Sequence, residues 1–208
     1  MPDLSVKNLH VFRGDRHLLR GLGFAVAAGT CLQVTGHNGA GKTTLLRVLA
    51  GLIEPESMEL QWRGRAINAR DAEYHAALGY LGHEPALKAD LTGAENIRYS
   101  VGLRRAIVPS ELATTLNKAG ATSFADRLVR TLSAGQRRRI SLAVLWLSRS
   151  RLWLLDEPAT NLDLAGQQLV ASLIDEHLSD GGLVIASTHQ DLGLDAGRRV
   201  ALDLGGSP

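Results

Sequence analysis

Gly36-His37-Asn38-Gly39-Ala40-Gly41-Lys42-Thr43 satisfies every fixed position of the pattern G-x-x-x-x-G-K-[ST]. It sits between the aliphatic run Cys31–Thr35, read as a buried strand, and the segment Thr43–Leu52, read as a helix. A glycine-rich turn in that setting lets backbone amides converge on a polyanion with no side chain in the way, and the helix adds its positive N-terminal end. The pattern assigns Lys42 to the β and γ phosphates of a nucleotide and the Thr43 hydroxyl to Mg²⁺, a small cation that takes oxygen ligands alongside phosphates.

Outward from that loop, short β-branched or aliphatic runs alternate with longer stretches whose apolar residues recur three and four apart. Such alternation indicates a layered α/β fold. Leu4–Phe12, Leu22–Val26, Met58–Trp62 and Leu78–Leu81 read as strands, and from about 85 to 147 helical signals take over. Within that stretch Thr92-Gly93-Ala94-Glu95 has the spacing of a capping box, which predicts a helix from about Glu95. A second helix, Arg137–Leu147, carries Ile140, Ala143, Val144 and Leu147 on one face, a stripe expected to bury against the main lobe. Leu152–Leu155 and Leu183–Ala186 are solidly apolar, and the segment between them presents Leu169, Val170, Leu173, Ile174 and His177 at helical spacing. Apolar strands joined by a helix imply parallel pairing with both faces covered. A last strand is expected at Val200–Leu204.

Leu152-Trp153-Leu154-Leu155-Asp156-Glu157 ends an apolar strand in two carboxylates, at the edge where open parallel sheets bind ligands. Phosphoryl transfer needs one acid to hold the metal and another to take a proton from the attacking water, roles assigned to Asp156 and Glu157 respectively. Leu132-Ser133-Ala134-Gly135-Gln136 precedes a helix, so a hydroxyl and a glycine stand at a second positive helix end. His189 follows the strand Leu183–Ala186 and the pair Ser187-Thr188, which puts an imidazole at the same sheet edge, able to donate a hydrogen bond to a γ-phosphate.

Composition sets the outer limits. With 208 residues, 45% of them hydrophobic, the chain has enough for one full core and is not disordered as a whole. Its 23 Lys+Arg against 21 Asp+Glu leave a formal charge of +2, too balanced to demand a nucleic-acid partner, and the run Arg137-Arg138-Arg139 reads as a solvated helix face. Cys31 is the single cysteine, so the chain has neither an internal disulfide nor a cysteine zinc site. The start, Met1-Pro2-Asp3-Leu4, does not resemble a secretory signal, and the longest apolar stretch, Ile140–Leu147 with Ser141 inside it, is far short of the ~20 residues a membrane span needs. Trp62, Trp146 and Trp153 fall in predicted strands and a helix and are read as packing residues.

In their order along the chain these segments resemble the nucleotide-binding subunit of ATP-binding cassette (ABC) transporters, over nearly the whole length. The resemblance implies a P-loop NTPase of the ABC ATPase type. Its central, mostly parallel sheet would carry an antiparallel β lobe and an inserted helical subdomain at approximately 85–147, within a single nucleotide-binding domain spanning 1–208. Leu132–Gln136 is similar to the family signature, with Ala134 where a second glycine is commoner. Asn161-Leu162-Asp163 resembles the loop that crosses the dimer interface, His189 the switch histidine, and Phe12 the aromatic that stacks on adenine. Thr44 joins the residues from Gly36 to Thr43 in the implied nucleotide site. Also implied are head-to-tail homodimers, with ATP between the Gly36 loop of one subunit and Ser133 and Gly135 of the other. Hydrolysis would depend on Mg²⁺, with Glu157 and His189 as catalytic residues. An integral-membrane permease would be the partner, and the chain would lie peripherally on the cytoplasmic face of the inner membrane.

One position departs from the family. Where glutamine is usual, in the loop that touches both the nucleotide and the membrane partner, the chain has His83, whose imidazole is a poorer Mg²⁺ ligand than an amide oxygen. The stretch Gly82-His83-Glu84-Pro85-Ala86-Leu87-Lys88, with Leu91-Thr92 and Glu95-Asn96 beyond it, resembles the cytochrome c maturation ATPases, or haem exporters. That likeness implies that ATP hydrolysis drives release of a haem-loaded chaperone. Haem would be handled by partners, since the chain has no Cys-x-x-Cys-His. The alternatives are a transporter ATPase for another cargo and a soluble ABC ATPase acting on nucleic acid or ribosomes. The second is disfavoured by a single cassette of this length.

Overall fold

A computed structural model describes residues 2–189 and 191–205, leaving out Met1, Gln190 and 206–208. Its elements run β1 (Leu4–Arg13), β2 (Arg16–Val26), β3 (Cys31–Thr35), α1 (Lys42–Leu49), β4 (Ser57–Trp62), β5 (Arg65–Ile67), α2 (Ala72–Ala77) and β6 (Leu78–Leu81). There follow α3 (Gly93–Gly102), α4 (Pro109–Lys118), α5 (Ala134–Leu147), β7 (Leu152–Asp156), α6 (Leu164–Ser179), β8 (Leu183–Ser187) and β9 (Arg199–Asp203). One sheet is antiparallel, in the order β2-β1-β4-β5; the other is parallel, in the order β6-β7-β8-β3-β9. No helix among the described residues is long and apolar enough to cross a membrane.

The two-faced burial inferred from the apolar strands is what organises the core. On β7, Leu152 and Leu154 join Leu45, Leu46 and Leu49 of α1 and the inner face of the antiparallel sheet. Trp153 and Leu155 point the other way, into Leu173 and Ile174 of α6 and Leu142 and Leu145 of α5. Alternation with period two assigns the residues of one strand to two separate cores. Each large side chain so buried contributes about 1.5–3 kcal/mol.

The capping box forms as the sequence indicates. Glu95 N–H donates to the Thr92 hydroxyl at 3.2 Å and the Glu95 carboxylate accepts from Thr92 N–H at 2.7 Å, starting α3 at Gly93. The stripe on α5 corrects the expectation. Ile140, Ala143, Val144 and Leu147 pack among Ala94, Ile97, Leu112 and Leu116 of α3 and α4 instead of the main lobe. It is Leu142 and Leu145 that meet the sheet. This helix is buried on two sides, so a single amphipathic stripe does not describe it.

Several elements escaped the sequence reading. β2 begins at Arg16 because Gly14-Asp15 turns the chain straight back on β1, with Arg13 opposite Arg16. β5 follows a two-residue turn, Arg63-Gly64, in which both residues have positive φ, the geometry that suits the twist of a tight hairpin. The six-residue α2 is fixed from outside, its buried Tyr74 donating to the Leu49 carbonyl at 3.0 Å.

Beneath the sheet, His177 of α6 lies flat on Trp153, ring centroids 3.9 Å apart and 4° from parallel. The ring fills the space beside Gly182, where a Cβ would come within 2.2 Å of Nε2, so only glycine fits. Burial pulls the imidazole down to about 4 from an ordinary 6.5. The unfolded chain therefore binds a proton between those values while the native chain does not, and stability falls as pH drops from 6.5 towards 4, by about 3 kcal/mol in total. His177→Phe, which keeps the stack, is expected to flatten that slope in urea titrations at pH 7 and pH 5. Equal pH dependence in the two proteins would clear His177 of the effect.

Candidate active site

All five strands of the parallel sheet end at one edge, so the segments that follow β3, β6, β7 and β8 converge there. Gly36–Gly41 leave β3 and feed α1, with Lys42 as its first residue. The turn is closed tightly against β2. At Gly41, φ is 107° and a Cβ would meet Leu19 Cδ2 at 3.0 Å and Leu18 Cγ at 3.2 Å, so both backbone conformation and space require glycine. Lys42 is buried apart from 8% of its surface and donates to the Gly36 and His37 carbonyls at 2.8 and 3.3 Å, which arches its ammonium over the loop. Ala40 packs inward, whereas His37, Asn38 and Gly39 are exposed.

Across from this loop stand the strand-end acids. Asp156 is 1% exposed; its Oδ1 accepts from the Thr43 hydroxyl at 3.1 Å and from the Ser187 hydroxyl at 2.6 Å. Its Oδ2 is buried with no hydrogen-bond partner among the described residues. A hydroxyl and a carboxylate with a free oxygen are hard donors, the set that Mg²⁺ takes. Glu157 follows in a left-handed conformation, φ 49°, with its N–H donating to the Ser187 carbonyl and hydroxyl, both at 3.1 Å. Its Oε1 is likewise without a hydrogen-bond partner, and His189 Nε2 lies 3.4 Å away, longer than an ordinary hydrogen bond.

Arg13, Leu18, Asn38, Gly39, Gly41, Lys42, Thr43, Thr44, His83, Asp156 and Glu157 line one cleft of about 360 Å³. His189 faces an adjoining hollow with His83, Glu157 and Thr160. Phe12 is about half exposed on β1 and stacks on His17 of β2, ring centroids 4.2 Å apart; it does not line the cleft.

The signature segment lies apart from this cleft. Ser133 caps α5, its hydroxyl accepting from Gln136 N–H at 3.2 Å while Gln136 Oε1 accepts from Ser133 N–H at 3.0 Å. Ser133 and Ala134 remain exposed, Gly135 is half-buried beside the Asn161 carbonyl, and Leu132 is buried among α3 and its neighbours. In the neighbouring loop Leu162 turns into the core, leaving Asn161 and Asp163 outward, with Asp163 also capping α6 through Gly166 N–H.

The arginine run needs a correction. Arg138 is not solvated: 3% exposed, it donates to the carbonyls of Pro158, Gly82, Asp156 and Glu157, and burial lowers its guanidinium to about 10. The spacing held the signal, since Arg138, Leu142 and Leu145 fall on one helical face. Ser187, Arg13 and Leu18 were also missed. Ser187 is an ordinary strand-end hydroxyl in sequence, and the other two enter the cleft only because the antiparallel sheet folds over the loop.

A phosphate-cradling loop facing strand-end acids across a parallel sheet edge is the site of a nucleoside triphosphatase, and here it has a definite family. The sequence profile of the ABC transporter family matches residues 19–160, and the chain belongs to that family as an ATP-binding, ATP-hydrolysing subunit. It is 44% identical over 206 residues to the cytochrome c biogenesis ATP-binding export protein CcmA of Salmonella typhi, covering 98% of each chain. With the protein of the same name from Nitrosococcus oceani it shares 43% over 201 residues, 97% of this chain and 92% of that one. Among solved structures, a putative ABC transporter ATP-binding protein from Pyrococcus furiosus superimposes with a TM-score of 0.83 at 22% identity, covering 97% of this chain and 96% of that one. An ATP-binding subunit of another ABC transporter gives 0.82 at 23%, covering 97% and 86%. At such identities the structural likeness establishes the fold.

Proposed function

We propose that this chain is the ATPase subunit of a membrane ABC complex that powers the haem-handling step of cytochrome c maturation, the release of a haem-loaded chaperone. The end-to-end likeness to CcmA proteins carries the choice of cargo. The cleft supports the chemistry. Lys42 and the amides from Gly36 to Thr44 bind the phosphates, and the adenine stacks outside the cleft on the half-exposed Phe12. Thr43 and Asp156 would hold Mg²⁺, which supplies positive charge against the phosphate oxygens. Glu157 takes the proton of the attacking water and His189 donates to the γ-phosphate.

In this reading residues 1–208 form one nucleotide-binding domain with its helical subdomain at about 85–147. Two copies pair head to tail, presenting Ser133, Gly135, Asn161 and Asp163 to each other's nucleotide. The exposure of Ser133, Asn161 and Asp163 supports that arrangement. The loop at His83 contacts integral-membrane permease subunits at the cytoplasmic face of the inner membrane, and no haem is ligated by this chain.

Deleting the gene is expected to abolish covalently haem-bearing c-type cytochromes, with recovery on supplying the wild-type chain but not Lys42→Ala. Haem staining of membrane fractions reads the result. Normal c-type cytochromes in the deletion strain would reject this cargo.

A further inference from the structure

Four main-chain carbonyls from two strand ends converge on one planar side chain. Arg138 Nε donates to the Pro158 carbonyl at 3.0 Å, Nη1 to Gly82 at 2.7 Å, and Nη2 to both Asp156, at 2.8 Å, and Glu157. From the opposite side, Ser187 accepts from the Glu157 N–H. Glu157 is thus gripped at both its amide and its carbonyl, which is what keeps a non-glycine residue at φ 49°. The arrangement is the inverse of the phosphate loop: there amides converge on an anion, here carbonyls converge on a cation.

We infer that Arg138 is a positioning residue for hydrolysis, fixing where the Glu157 carboxylate stands and tying that position to the loop that begins at Gly82. The inference deepens the reading of Glu157 as the base and rests on it. Arg138 does not itself line the cleft; it reaches the lining residues Asp156 and Glu157 only at their carbonyls, so it acts through the main chain. It lies five residues beyond Ser133 on α5, so one rigid helix carries both the signature and this clamp. A displacement of the His83 loop reaches Glu157 through a single guanidinium. Only a fork of fixed geometry spans these carbonyls; the lysine ammonium is a point donor and glutamine has a single NH₂ group.

The test uses the full chain with Arg138→Gln and Arg138→Lys. Both are expected to lower kcat about tenfold to a hundredfold, glutamine more than lysine, because a misplacement on the order of 1 Å costs that much. KM for ATP and the Kd for a fluorescent ATP analogue stay within about twofold of wild type, since ground-state binding is untouched. Hydrogen exchange quickens at 82–84 and 156–159 and is unchanged at 36–44. If Arg138→Gln does not fold, Arg138→Lys carries the same readouts. Wild-type kcat in a folded variant, or nucleotide affinity falling in step with kcat, overturns the inference. Failure of the base assignment looks different: Glu157→Gln itself would then turn over at the wild-type rate.

Discussion

Glu157→Gln is expected to cut ATP turnover by about two to four orders of magnitude, the usual contribution of a positioned general base. The substitution is nearly isosteric and leaves the surrounding structure little to lose. The bonds that hold residue 157 are made by its main chain, to Ser187 on one side and Arg138 on the other, and its Oε1 has no hydrogen-bond partner among the described residues. What disappears is charge and basicity, next to a phosphate cradle that is unaltered. ATP therefore binds and is not consumed, and under the dimer reading the protein accumulates as an ATP-loaded pair. Phosphate release and gel filtration in ATP measure the two effects. Undiminished turnover would mean another group takes the proton.

Lys42→Ala is expected to weaken ATP binding by about ten- to a hundredfold, the worth of one charge-assisted hydrogen bond of about 1.5–3 kcal/mol. Lys42 is 8% exposed and its ammonium is held on the Gly36 and His37 carbonyls, so its charge is already positioned at the mouth of the loop. Alanine removes that charge and takes the ammonium from the Gly36 carbonyl, while the His37 carbonyl keeps the Ala40 N–H at 3.1 Å. Titration with a fluorescent analogue checks this, and unchanged affinity would take Lys42 out of the phosphate site.

What was legible in the sequence follows physical lines. Strands buried on both faces announce themselves as unbroken apolar runs, so β7 and β8 were placed to within a residue of their ends. Motifs whose chemistry depends on adjacency, such as Gly36–Thr43, Asp156-Glu157 and the Thr92–Glu95 cap, could be read because their parts are neighbours in the chain. Contributions that depend on distant neighbours could not. Arg138 looks like part of a charged surface until two strand ends close around it, and Ser187 gains a role only when β8 lies beside β7. The stripe on α5 was recognised but sent to the wrong partner, because periodicity names a face without saying what covers it. Short elements such as β5 and α2 exist by virtue of a tight turn and one buried tyrosine, signals weaker than a repeating pattern.

The order of the parallel sheet bears on how the protein is made. β3, the strand that launches the phosphate loop, lies between β8 and β9, with Cys31 opposite Val184 and Arg199. Both flanking strands are synthesised roughly 150 residues after it. On the ribosome the loop's supporting strand waits unpaired through most of translation, a high-contact-order arrangement that folds slowly and is prone to aggregate meanwhile. Nascent chains halted before β8 should thus have no competence for nucleotide at all, although the entire Gly36–Thr43 segment has already emerged.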